Sequence, residues 1–269
     1  MNNSQTLKHR ATWALAALAL IGAMLSIPRS RPKDAQGFVI RGDSYNKKGD
    51  IENAINDYTE AIRLSPGEYI LYFKRAYNYD LQKDFDKAIT DYTEAIRLEP
   101  REAGLYFNRG SEYGQKNELE KAIADFNEAI QLNTNLSSAY NGRGYANYKK
   151  GNFEKAQPDF LHAISLEPTN GVAYGNLAWL LATCPTDSFR NGEEAVTLAT
   201  KACQLTNWKS WLRIDILAAA YAEVGDFGVA IQYQQKAMGF LGVREKDWQK
   251  MHERLEMYRQ KRAYHRAAE

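Results

Sequence analysis

Two cysteines in 269 residues leave little redox chemistry to consider. Cys184 precedes a turn, and Cys203 lies about twelve residues into the following helix if that helix starts near Asn191. Twelve helical residues span about 18 Å, far beyond the Cα separation a disulfide accepts, so no intramolecular bridge is expected. Histidine is equally thin. His9, His162, His252 and His265 are dispersed, and neither thiol has a Cys or His neighbour at metal-ligand spacing. A Gly-rich phosphate loop, a nucleophile elbow, a paired-histidine zinc helix and a calcium loop are all missing. Carboxylates are abundant, but Asp50, Asp84, Glu118 and Asp226 stand in inter-helix segments, where caps and turn residues belong. The chain is therefore read as a non-enzyme, with no cofactor, metal or small-molecule substrate expected.

A dominant charge of one sign is missing too. The formal net charge is +2, but residues 1–33 hold five basic and no acidic side chains, leaving 30 basic and 33 acidic in the rest. A body near −3 does not wrap nucleic acid, so the basic balance belongs to the leader and points to anionic lipid. Surface pairs such as Asp84 with Lys87 read as a solvated helix face.

Long apolar runs are limited to one. Ala11–Ile27 is 17 residues without a charge, flanked by Lys8, His9 and Arg10 on one side and by Arg29, Arg31 and Lys33 on the other. That is the short limit for a helix crossing a bilayer. Leu25-Ser26-Ile27 is a poor small-x-small cleavage site and no cysteine lies beside it for a lipid anchor, so a retained signal anchor is expected. A cleaved signal is the alternative, and basic residues on both flanks leave orientation open.

What the chain does have is a 34-residue rhythm. Gly42, Ala76, Gly110 and Gly144 are equally spaced, as are Ala54, Ala88, Ala122 and Ala156. Within one period Tyr72, Arg75, Ala76 and Tyr79 lie at helical spacing, Lys83 and Asp84 interrupt, and Ala88, Ile89, Tyr92, Ala95 and Ile96 restart the pattern before Pro100. The grammar is helix, turn, helix, stop. A single hairpin leaves one apolar face wet, so its neighbour must cover it. Aromatics recur in phase as Phe38, Tyr72, Tyr106, Tyr140 and Tyr174 in the first helix (A) and as Tyr58, Tyr92, Phe126 and Phe160 in the second (B). Pro66, Pro100 and Pro168 close the periods, with Thr134 in the third.

This pattern resembles the tetratricopeptide repeat (TPR) over about residues 35–243. The resemblance implies an all-α, right-handed solenoid of about six helical hairpins whose inner groove binds peptides or partner proteins. A fifth hairpin departs from the register, since Ala195 comes five residues late and Cys184–Asn191 forms an extended turn containing Pro185. It is similar to a bacterial subgroup with a longer fifth hairpin. The sixth carries Leu217, Ala218, Tyr221, Ala230, Ile231 and Ala237, with a less regular start around Trp208 to Arg213. Trp248, Met251, Leu255 and Tyr258 form an apolar stripe, so 244–264 is expected to be a helix capping the open end. Three regions follow: a leader at 1–34, the array at 35–243, and a capping helix and tail at 244–269.

The resemblance places the inner surface on the exposed side of each helix A. Phe73, Tyr77, Phe107, Tyr145, Tyr148 and Trp179 then make an aromatic stripe, with Asn108, Asn141 and Asn176 as polar positions. Rings supply contact area at low entropy cost, and amides pair with peptide backbone. The same rings also suit packing between adjacent A helices. Some members of the family grip a chaperone's terminal carboxylate with lysine, arginine and asparagine on three A helices. Only Asn108 matches here, because Phe73, Tyr77, Ser138 and Gly142 occupy the other positions. The expectation is a scaffold that binds a protein or extended peptide and is tethered to a membrane through residues 11–27. A bacterial inner membrane fits, with the array periplasmic or cytoplasmic. A secreted or periplasmic soluble adaptor, or an accessory subunit of an enzyme complex, is the alternative.

Overall fold

The computed structural model describes residues 32–266, so the Ala11–Ile27 run and its assignment lie outside the described residues. Within them there are thirteen α-helices and no strand. Six hairpins account for twelve helices: α1 (Ala35–Lys47) with α2 (Ile51–Leu64), α3 (Tyr69–Leu81) with α4 (Phe85–Leu98), α5 (Ala103–Gln115) with α6 (Leu119–Leu132), α7 (Ser137–Lys149) with α8 (Phe153–Leu166), α9 (Gly171–Thr183) with α10 (Gly192–Leu205), and α11 (Trp211–Glu223) with α12 (Phe227–Met238). The thirteenth, α13 (Glu245–Arg259), follows the last hairpin and packs on α12. No helix of the described residues is long and apolar enough to cross a membrane. The fold divides into two units inside α5, one ending at Leu105 and the other beginning at Tyr106. In each unit successive helices pack on one another, so the all-α arrangement of consecutive hairpins is as the 34-residue period predicts.

The local reasons for these helices repeat with the same period. Asp50, Asp84 and Asp226 each accept from the backbone N–H three residues on, capping α2, α4 and α12. Glu118 makes no such cap, because its longer carboxylate reaches Lys121 and Lys116 instead. Between helices A and B one residue turns left-handed in phase: Gly49, Lys83, Asn117 and Gly151, with φ between 62° and 78°. Lys83 occupies a conformation that a side chain disfavours, and the fold imposes it. The B helices end at Leu64, Leu98, Leu132 and Leu166 whether proline or Thr134 follows, so the proline accompanies the stop without setting its place.

Small residues sit where helices approach. Ala54, Ala88, Ala122 and Ala156 are fully buried. A Cβ added at Gly144 would stand 2.9 Å from the Phe160 ring, and one at Gly110 3.2 Å from the Ala122 carbonyl oxygen. The extended turn of the fifth hairpin contains a short 3-10 turn, Asp187–Phe189. Arg190 holds it, donating to Glu223 at 2.9 Å and to the Cys184 carbonyl at 2.8 Å, and pairing with Asp187. Cys184 and Cys203 are free and buried.

The capping helix differs from expectation in two ways. It ends at Arg259 rather than near 264, because the chain turns at Lys261 (φ 54°) and runs back along the unit. Met251, Leu255 and Tyr258 are buried, but Trp248 stays outside and stacks on His252 with centroids 5.2 Å apart. A buried network fastens the helix: Arg254 donates to Asp215 at 2.8 Å, and Gln234 donates to the same carboxylate at 2.8 Å. Burial pulls the Arg254 pKa down, but Asp215 more than offsets this and holds it above the ordinary value.

Candidate partner-binding surface

The nine residues singled out from the sequence fall into separate groups. In the first unit Tyr77 is exposed, whereas Phe73 is half-buried with its ring 6.1 Å from Tyr92 of its own hairpin. In the second unit Phe107 likewise leans on Phe126 at 6.0 Å, and Asn108 is half-buried beside it. Both phenylalanines thus contact helix B of their own hairpin, an arrangement distinct from packing between adjacent A helices.

The A helices α7, α9 and α11 bring a different set together. Asn176 Nδ2 donates to Asn141 Oδ1 at 2.9 Å, leaving one further amide group on each for another partner. Tyr145 is exposed beside them. Two adjoining cavities open here, of about 420 Å³ and 300 Å³. Both are lined by Tyr145, Asn176, Leu212 and Arg213, while Asn141 belongs to the larger and Trp179 to the smaller. Val172 and Leu212, each more than two-fifths exposed, add apolar surface.

Tyr148 and Trp179 have neighbours of their own. Tyr148 is buried, accepts from Trp179 Nε1 at 2.9 Å, and has its pKa raised by burial. The returning C-terminal segment covers both. Tyr264 lies 5.9 Å from the Trp179 ring, and the Arg266 guanidinium sits 5.0 Å over Tyr148. Arg266 also donates to the carbonyls of Tyr148 at 2.9 Å and Lys149 at 3.0 Å, and its backbone N–H to that of Thr183 at 2.8 Å. Helix C-termini present unsatisfied carbonyls and a partial negative charge, which explains why a guanidinium settles there. Tyr148 is thus a correction to the expected stripe: its ring is enclosed within the chain.

A third cavity, of about 530 Å³, is charged and most of its charges are paired, Arg143 with Asp159 and Asn127 and Lys150 with Glu120, while Lys155 is exposed at its edge. No group of His, Cys, Asp or Glu among the described residues is arranged to hold a metal ion. Sequence reasoning missed Leu212 and Arg213, whose only signal was a guanidinium in the irregular apolar start of the sixth hairpin. It also missed a recurring ion pair. Arg41, Arg75, Arg109 and Arg143 on the A helices each make a bidentate pair with Asp57, Asp91, Asp125 and Asp159 on the B helices, at 2.7–2.9 Å.

Consecutive helical hairpins with a side-chain-lined surface on successive A helices define a helical-repeat interaction protein. Family models described as tetratricopeptide repeat match residues 35–68, 69–102 and 137–170, and one described as TPR repeat matches 110–151. The chain belongs to the tetratricopeptide-repeat family, and it is a protein-interaction scaffold of that kind. No curated protein sequence matches it. Among solved structures it is similar to MamA, at 25% identity over 65% of this chain and 93% of that one, with a TM-score of 0.56. PilW, a type IV pilus biogenesis factor, is 19% identical over 80% of this chain and 97% of its own, with a TM-score of 0.67. Pseudomonas aeruginosa PilF is 17% identical over 81% and 96%, with a TM-score of 0.66. The likeness to PilW and PilF is one of fold.

Proposed function

We propose that this chain is a membrane-tethered scaffold that captures a protein segment in extended form across α7, α9 and α11. The carrying observation is the pair of adjoining cavities on consecutive A helices, where Asn141 and Asn176 offer amides beside the exposed Tyr145 ring. Aromatic anchors and amides that reach peptide backbone are the two ingredients such a surface needs. Tethering rests on the uncharged run Ala11–Ile27 with its basic flanks, and a bacterial inner membrane is the membrane it suits.

Crosslinking in native membranes, with the partner identified by mass and then purified, tests the capture. Tyr145→Ala and Asn176→Ala are each expected to weaken binding of that partner by about 1–2 kcal/mol with helical content unchanged. Undiminished binding in both variants moves recognition to another face. Deleting residues 1–33 is expected to release a soluble protein of unchanged helicity. A deletion variant that stays with lipid after a high-salt wash contradicts the single tether, and the mass of the mature N terminus separates a retained anchor from a cleaved signal.

A further inference from the structure

One buried cation in the second unit has no counter-charge. Arg213 is 7% exposed, stands third in α11, and lines both cavities. Its guanidinium makes no hydrogen bond or ion pair among the described residues, and no carboxylate acts on it. The nearest carboxylates in sequence and cavity are taken: Asp215 by Arg254 and Gln234, and Asp247 by Arg244 at 2.6 Å. Burial pushes the Arg213 pKa below the ordinary arginine value, yet an arginine remains charged at neutral pH. Every arginine of the recurring series, by contrast, has its aspartate.

The surroundings are built for this guanidinium. A Cβ added at Gly175 of α9 would lie 2.7 Å from Arg213 Nη1, so the glycine makes the room that the head group fills. The first turn of α11 holds no acidic residue, and the Ser210 side chain caps none of its N–H groups. The positive end of the helix therefore adds to the guanidinium. Leaving such a charge buried and unpaired is unfavourable to folding, which a ligand carboxylate reverses.

We propose that Arg213 receives the carboxylate of an aspartate or glutamate within an extended peptide lying across α7, α9 and α11. This rests on the capture surface proposed above. The two cavities share Arg213, Tyr145, Asn176 and Leu212, so space continues on both sides of the guanidinium. A chain passing through presents an internal side chain there, whereas a chain end needs only one of the two spaces. Leu212, Val172 and Tyr145 call for apolar residues beside the acid. A charge-assisted bidentate contact fixes register as well as adding affinity.

Selection of a random dodecapeptide library, fused at its C terminus so that no free terminal carboxylate is offered, tests this on the full chain. The expected winners share one acidic position flanked by apolar residues. A synthetic copy, acetylated and amidated, is expected to bind at least ten-fold more weakly when that acid becomes its amide. Arg213→Gln is expected to abolish this discrimination, and Arg213→Lys to retain part of it. Winners without an acidic position, or equal binding by acid and amide, overturn the Arg213 site while the capture surface stands. Failure to select any peptide, or winners indifferent to Tyr145→Ala and Asn176→Ala, overturn the capture surface and the site with it. If Arg213→Gln does not fold, the acid-to-amide comparison on the wild-type chain decides.

Discussion

The first four hairpins and the last two solve one packing problem in opposite ways. In the first four, a position on helix A and one on helix B sixteen residues later are arginine and aspartate, from Arg41 with Asp57 to Arg143 with Asp159. The fifth hairpin has Leu177 and, after its five-residue insertion, Leu198; the sixth has Leu217 and Tyr233. The apolar hairpins sit in the largest hydrophobic cluster among the described residues, which takes in Leu177, Leu181, Ile214, Leu217 and Met251 and reaches Phe153 and Phe160 of the fourth hairpin. In the first unit, the cluster around Ala76, Ala88 and Tyr92 is small by comparison. The repeat backbone therefore does not require an ion pair at this place. It requires that whatever enters from helix A be matched from helix B, since a half-satisfied polar pair is worse than either complete solution.

Breaking the match gives the largest expected effect. Leu177→Arg puts a guanidinium at a fully buried site whose counterpart is Leu198, and about 4 kcal/mol of stability is expected to be lost. Adding Leu198→Asp should recover a good part of that in the same urea titration. No recovery shows that the fifth hairpin cannot accept the geometry of the first four. Next comes Asp125→Ala, which leaves Arg109 without its bidentate partner; about 2–4 kcal/mol is expected, read from the shift in urea midpoint at constant slope.

Alkaline titration separates the two kinds of hairpin more finely. The hydrogen bond to Asp125 raises the Arg109 pKa, so its contribution is complete below the ordinary arginine value and is lost only as pH climbs through the higher folded value. Burial among apolar side chains pushes the Cys203 thiol up to about 11 from 9.0. A raised folded pKa means stability that is complete below pH 9 and lost as pH rises towards 11, about 1 kcal/mol by pH 10. Cys203→Ala is expected to remove that component of the alkaline decline, and an unaltered decline assigns it to other groups. The smallest change is expected from exchanging one complete solution for the other. Arg109→Leu combined with Asp125→Leu should unfold within about 1 kcal/mol of wild type, because the hydrocarbon pair removes the desolvation of two charges along with their attraction. A loss as large as that of Asp125→Ala shows the ion pair to be needed in its own hairpin.

The helices were legible because apolar periodicity, small residues and turn residues all carry the same 34-residue signal along the chain. The arginine–aspartate series was written just as regularly, but each partner reads alone as an ordinary polar residue on a helix face. Its meaning lies in a contact between two helices sixteen residues apart. Phe73 and Phe107 were legible as aromatic, but their contact with the second helix of their own hairpin was not, since a ring can turn to its own hairpin without any change in spacing.

The sequence by itself determined the hairpin, its length, its stopping place and its repetition, because these follow from local backbone preference and from the faces that a period of 34 leaves to be covered. Only the tertiary structure decided which side chains remain available. Arg266 reaches Tyr148 across more than a hundred residues, and Arg213 is left without a carboxylate although Asp215 is two positions away. Availability depends on which helices and which returning segment share a volume, and distance along the chain carries no information about that.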